Sequence, residues 1–169
     1  QMPMGAEDKF RGMIDLVEMK ALFFETDEPK PPVEGPIPAE YREDAEAQRQ
    51  AMIEKIAETD DGLLVKYLDG KTDYTVDELK AALRKATLTV QIIPVLCGTA
   101  LQHKGIQPLL DAILDYLPSP LDAAAAVGKN PANDEDIVLK PDPNGQLAAL
   151  AFKIMTDPYI GRLVYVRVY

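Results

Sequence analysis

At 169 residues, 47% apolar and 27% charged, the chain has the composition of a globular protein of one domain, or of one domain and part of another. A net charge of −10 argues against clamping a phosphate backbone, and no apolar run approaches the ~20 residues that span a bilayer, so neither direct nucleic-acid binding nor a membrane is expected. With one cysteine, Cys97, and one histidine, His103, an intrachain disulfide and a Cys/His zinc site are excluded; the expected setting is reducing and cytoplasmic, with no metal site.

Phe10–Phe24, "FRGMIDLVEMKALFF", has the apolar density of one or two strands, with Gly12 as a bend. Glu28–Pro38 holds five prolines and reads as an extended connector. Ala39–Asp60 then reads as a long helix whose core stripe is Tyr41, Ala45, Gln48, Met52 and Ile56. Gly62 ends or kinks it, "LLVKYL" (63–68) makes a short second helix, and Gly70 stops that one. Thr75 and Glu78 stand at capping-box spacing and open a third helix with Leu79, Ala82, Leu83 and Ala86 as its core face. Leu88–Cys97 reads as a buried strand. Ile106–Leu117 follows as a helix with Ile106, Leu109, Leu110, Ile113 and Leu117 facing inward.

Residues 118–146 carry five prolines, two glycines and the tract "DAAAAVGKNPANDED", a linker by composition. "LAALAFKIM" and "RLVYVRVY" then form two strands about a turn at Thr156–Gly161, the start of an all-β domain. The chain opens on Gln1 and stops inside an alternating strand, so it reads as an excised piece of a longer protein.

Between the strand and the helix lies Gly98-Thr99-Ala100. The phosphate-loop pattern G-x-x-x-x-G-K-[ST] is absent, so no triphosphate should sit there. Two readings stay open: a plain strand-to-helix turn, or a loop offering successive N–H groups to the edge of a planar ligand. Cys97 and His103 do not make a nucleophile pair: Cys97 ends an apolar run, His103 sits in a polar loop, and no third residue orients them. No catalytic residue is assigned. Acid is concentrated between residues 36 and 80, with twelve Asp/Glu against six Lys/Arg. Glu54, Glu58 and Asp61, spaced i, i+4, i+7, lie opposite the core stripe. They read as a solvated face or as a surface that steers a basic partner.

Three blocks carry a resemblance. "GAEDKFRGMIDLVEMKA", "VLCGTALQHKGIQPLLDAILDYLPSPLD" and "ALAFKIMTDPYIGRLVYVRVY" are similar to bacterial translation elongation factor G, a translational GTPase. The resemblance implies an α/β fold class: an α+β insert (G′, residues 1–88), the last strand and helix of a P-loop GTPase domain (89–122), a linker (123–146) and the first strands of a β-barrel domain II (147–169). It places the family's Cys-Gly-Ser-Ala guanine motif on Cys97, Gly98, Thr99 and Ala100, where the Ala100 N–H would read the guanine carbonyl oxygen. Thr99 replaces the usual serine and keeps its hydroxyl; Leu101 stands where phenylalanine is common. It implies that Glu54, Glu58 and Asp61 contact the basic C-terminal domain of the ribosomal stalk protein. GTP or GDP with Mg²⁺ would belong to the full-length parent, since the phosphate loop, the switches and N-K-x-D are not in this chain. Alone, these residues are expected to bind no cofactor and to hydrolyse no GTP. The implied function of the parent is GTP-driven ribosomal translocation. The alternative is a non-catalytic protein-interaction module of a translation-factor paralogue, such as a ribosome-recycling form.

Overall fold

The apolar run at 10–24 folds as two strands because Asp15 turns it. Its Oδ1 accepts the N–H groups of Val17 (2.8 Å) and Glu18 (2.9 Å), and Met19 completes the turn at φ +54°. The computed structural model describes residues 1–26, 28–130, 132–145 and 147–169. These form two units, Gln1–Leu117 and Pro118–Tyr169, in a mixed α/β architecture of four helices and antiparallel sheets.

In the first unit, β1 (Met2–Met4), β2 (Gly12–Asp15), β3 (Lys20–Phe23) and β4 (Val33–Gly35) form one antiparallel sheet in chain order. The register pairs Met13 with Leu22 and Ile14 with Ala21. Alternation therefore gives two different faces. Ile14 and Ala21 join Met4, Ile37 and Ala45 in one buried cluster. Met13, equally buried, lies on the opposite face. β4 falls inside the proline-rich connector, flanked by Pro32 and Pro36, as an edge strand can.

Helix α1 spans Ala39–Ala57 and buries Ala45, Ile53, Ile56 and Ala57. Gln48, expected on the core stripe, is exposed. A stripe advancing 3.6 residues from Ala45 falls between positions 48 and 49, and Arg49 takes the inner place. Its guanidinium donates to the carbonyl oxygens of Leu16 (2.5 Å) and Val17 (2.7 Å) in the β2–β3 turn. α2 (Asp61–Leu68) starts at Asp60, whose carboxylate accepts the N–H groups of Gly62 and Leu63. α3 (Val76–Leu88) opens with the expected capping box, Thr75 Oγ1 accepting from the Glu78 N–H and the Glu78 carboxylate accepting from the Thr75 N–H. Its face Leu79, Ala82, Leu83 and Ala86 is buried as read. Leu79, Ala82 and Leu83 of this face, with Ile53, Ile56, Leu63 and Tyr116, form most of the main core.

Two expectations fail in the stretch that follows. Residues 88–97 are not a buried strand. α3 continues through Leu88, Val90 turns the chain at φ +58°, and the remainder is irregular, with no sheet partner among the described residues. Val90, Ile93 and Val95 are 78%, 77% and 73% exposed. Its ties to β1 are through Gln1, whose N donates to the Val95 carbonyl and whose Oε1 accepts the Cys97 N–H. α4 (Ile106–Tyr116) is rotated relative to expectation. Ala112 and Tyr116 meet the core, while Leu109, Leu110, Ile113 and Leu117 are 41–55% exposed. Amphipathicity marks which face of a helix is apolar; the described residues supply a partner for a different, narrower face.

In the second unit the stretch read as a linker carries a hairpin, β5 (Ala126–Lys129) with β6 (Asp136–Leu139); Pro131 and Gln146 of that stretch lie outside the described residues. β7 (Ala149–Asp157) and β8 (Gly161–Val168) form the second hairpin, as expected. Asp157 Oδ1 accepts the N–H groups of Tyr159 and Ile160, and Gly161 leaves the turn at φ +89°. Among the described residues no helix is long and apolar enough to cross a membrane.

Candidate functional site

The loop from Cys97 to Gly105 is closed on itself. Thr99 and Lys104 exchange both backbone hydrogen bonds, Thr99 N–H to the Lys104 carbonyl at 2.9 Å and Lys104 N–H to the Thr99 carbonyl at 3.2 Å. Within this clasp Ala100–Gln102 makes a 3-10 turn. Gln102 N–H bonds the Thr99 carbonyl, His103 N–H bonds the Ala100 carbonyl, and His103 leaves at φ +55°. The first N–H groups of a helical turn have no partner within it. Here those are the N–H groups of Ala100 and Leu101, at the exposed loop tip, with Leu101 96% exposed.

Two glycines permit the closure. A Cβ on Gly98 would stand 2.7 Å from the Lys104 carbonyl oxygen; one on Gly105 would stand 2.9 Å from the Cys97 carbonyl oxygen and 3.0 Å from Met13 Cε. Gly105 also needs its φ of +89° as the residue before α4. The four residues Gly98, Thr99, Ala100 and Leu101 are thus brought together, with the Thr99 N–H consumed internally and those of Ala100 and Leu101 given no backbone partner among the described residues. Such an arrangement can donate to the edge of a planar acceptor. Cys97 is half-buried, and burial pushes its thiol pKa up, the opposite of an activated nucleophile. No hydrogen bond joins it to His103 among the described residues.

The acidic positions are distributed differently from a single helical stripe. Glu54 lies in the last turn of α1, Glu58 is its C-terminal cap, and Asp61 is the first residue of α2. All three are exposed. The chain breaks between them because Asp60 caps α2 and Thr59 Oγ1 bonds back to the Ile56 carbonyl at 2.7 Å. Lys55 Nζ stands 3.0 Å from both Glu58 carboxylate oxygens, so Glu58 is partly neutralised by its own helix. Asp60, between them, pairs with Lys85 at 3.1 Å. The surface is acidic but laced with local cations.

No family model matches the chain. A protein of Thermus thermophilus, known from its crystal structure, is similar to it with a TM-score of 0.72 and 32% sequence identity. The match covers 99% of this chain and 22% of that one. The chain therefore spans less than a quarter of the length of that structure.

Sequence reasoning missed Gly105 and Arg49. Gly105 left a readable signal, a glycine immediately before the first apolar residue of a helix. Arg49 left none, since nothing local marks a basic residue whose acceptors lie more than thirty positions away.

Proposed function

We propose that this chain is part of a translation elongation factor G-like GTPase, supplying the guanine-contacting loop of its nucleotide domain and the insert that docks on the ribosomal stalk. The observation that carries the reading is the braced loop 97–105, in which the N–H groups of Ala100 and Leu101 have no backbone partner among the described residues, at the end of the Cys-Gly-Thr-Ala block that resembles the family's guanine motif. The blocks at 5–21, 95–122 and 149–169 support it further.

In this reading the Ala100 N–H donates to the guanine carbonyl oxygen, with Gly98, Thr99 and Leu101 shaping the edge beside it. The residues present fit the base and nothing more of the nucleotide: the G-x-x-x-x-G-K-[ST] and N-K-x-D patterns are absent from these 169 residues. Phosphates and Mg²⁺ would be held by other segments of the parent, where GTP hydrolysis supplies the drive for translocation. The exposed outer face of α4 and the unpaired 91–97 segment would then meet the rest of the nucleotide domain. The hairpin β7–β8 would open a β-barrel domain, and Glu54, Glu58 and Asp61 would face the basic C-terminal domain of the stalk protein. The setting is the cytoplasm.

Ala100→Pro in the full-length protein tests the base contact. Position 100 opens a 3-10 turn, where proline is tolerated, and Thr99 already has the extended backbone (φ −131°, ψ +100°) that a following proline requires. The substitution removes one N–H and little else. GDP affinity should fall by about tenfold or more, as for loss of one buried hydrogen bond to a polar partner. Unchanged affinity would remove the base contact; no GDP binding by the full-length protein at all, with stalk-domain binding intact, would favour a non-catalytic interaction module instead.

A further inference from the structure

A ladder of alternating charges crosses four elements of the first unit. Glu34 on β4, Lys20 on β3, Glu18 in the β2–β3 turn, Lys80 on α3 and Asp115 on α4 follow one another at 2.7, 2.7, 3.3 and 3.0 Å. Its centre is half-shielded: the side chains of Glu18, Lys20 and Lys80 are 29–34% exposed, so salt screens them less than free surface pairs. Lys20, then Lys80, hold the Glu18 carboxyl below its usual range, and Asp115, then Glu18, hold the Lys80 ammonium above its own.

One turn beyond Lys80 on α3, Arg84 Nη1 reaches the carbonyl oxygens of Asp115 (3.0 Å), Leu117 (3.1 Å) and Leu114 (3.4 Å). Leu114 and Asp115 lie in the last turn of α4 and Leu117 is its C-terminal cap, where carbonyls lack helical partners and a cation complements the helix dipole. From the other side, Arg49 of α1 grips the same β2–β3 turn that carries Glu18. The turn is thus a node reached from α1 through Arg49 and from α3 through Lys80, and α3 in turn holds the end of α4. The apolar dock of α4 is narrow, chiefly Ala112 and Tyr116. Its eleven residues begin directly after Gly105, which is wedged against Gly98 and Met13. A short stiff helix pinned at its far end sets the place of the loop at its near end.

We propose that Lys80 and Arg84 are positioning residues: by pinning the end of α4 to α3 and to the Leu16–Met19 turn, they hold the 97–105 loop in its clasped form, with Thr99 and Lys104 paired backbone to backbone. The functional meaning of that form rests on the guanine reading above; the positioning itself does not, and its test needs no nucleotide.

Amide hydrogen exchange on the 169-residue chain supplies the readout. The amides of Thr99 and Lys104 report the clasp, and those of Ile53 and Ile56 in α1 report global stability. In Lys80→Met and in Arg84→Met, exchange at Thr99 and Lys104 should quicken by about tenfold or more while Ile53 and Ile56 stay within about twofold, and Lys80→Arg should restore the wild-type pattern. Asp115→Asn, which leaves α3 untouched, should repeat the effect if either methionine variant fails to fold. Unchanged loop amides, or an equal rise at all four positions, would overturn the proposal. Unchanged guanine binding by the parent carrying these substitutions, with the exchange pattern as expected, would overturn the functional reading and leave the positioning intact.

Discussion

Gly98 and Gly105 pack backbone against backbone, with a Cβ on Gly105 only 3.0 Å from the Gly98 Cα. Seven positions apart in sequence, they make the neck of the loop, and each excludes a side chain for its own reason. Gly105→Ala combines a left-handed backbone with a backbone clash and should cost roughly 2–4 kcal/mol. Gly98→Ala meets only the clash and should cost about 1–3 kcal/mol. Gly70, at φ +71° with nothing within 4 Å, is the control: Gly70→Ala should cost about 1–2 kcal/mol of backbone strain alone. Urea unfolding of the three variants should give that order.

The main core and the outer face of α4 should respond oppositely to truncation. Leu79 is fully buried, and Leu79→Ala should cost about 2–5 kcal/mol by transfer and cavity. Leu110 is 55% exposed, and Leu110→Ser should change the stability of this chain by no more than about 0.5 kcal/mol. Equal losses in thermal unfolding would place Leu110 inside a core.

The α3 cap is a local device with a local test. Thr75→Ala removes the acceptor for the Glu78 N–H and should cost about 1 kcal/mol, whereas Thr75→Ser keeps the oxygen and should cost only a few tenths. Denaturant midpoints at neutral pH distinguish the two.

Acid should destabilise the first unit through Glu18 and Glu78. Lys20 lowers the pKa of the first, and the Thr75 N–H lowers that of the second, both from an ordinary value of 4.5. A depressed folded-state pKa contributes stability above pH 4.5 that is lost as pH falls through the lowered value. Stability followed from about pH 7 to pH 3 should hold level and then drop, and Glu18→Gln should shrink the drop while lowering the neutral plateau.

The acidic end of α1 should bind by charge. Reversal of Glu54, Glu58 and Asp61 to lysine should weaken binding of the stalk protein's C-terminal domain by more than about tenfold and abolish its salt dependence. Lys55→Gln, which releases Glu58 from its ion pair, should strengthen binding. Calorimetric titration at two salt concentrations reads both, and unchanged binding in the triple variant would remove the assignment.

What is legible in the sequence is what neighbouring residues decide. The Thr75–Glu78 box, the Leu79/Ala82/Leu83/Ala86 face and the β7–β8 turn each rest on positions within a few residues of one another. What is hidden depends on distant company. The 88–97 run has the composition of a strand, but a strand needs a ladder partner, and none is present among the described residues. The α4 periodicity is plainly amphipathic, yet the dock it meets here, through Ala112 and Tyr116, is not its most apolar side. β1 and β4 are three residues each and exist because β2 and β3 lie beside them. The loop is legible as a small-residue turn; that its Thr99 N–H is spent on Lys104 is not.

Cys97 gives the molecule a built-in reporter. It is the one thiol in 169 residues, half-covered, next to the glycine neck and bonded through its N–H to Gln1. Alkylation kinetics, or a spin label or fluorophore attached there, would follow the breathing of the clasp without any engineered handle, and the partial cover of the residue means that opening should quicken its labelling.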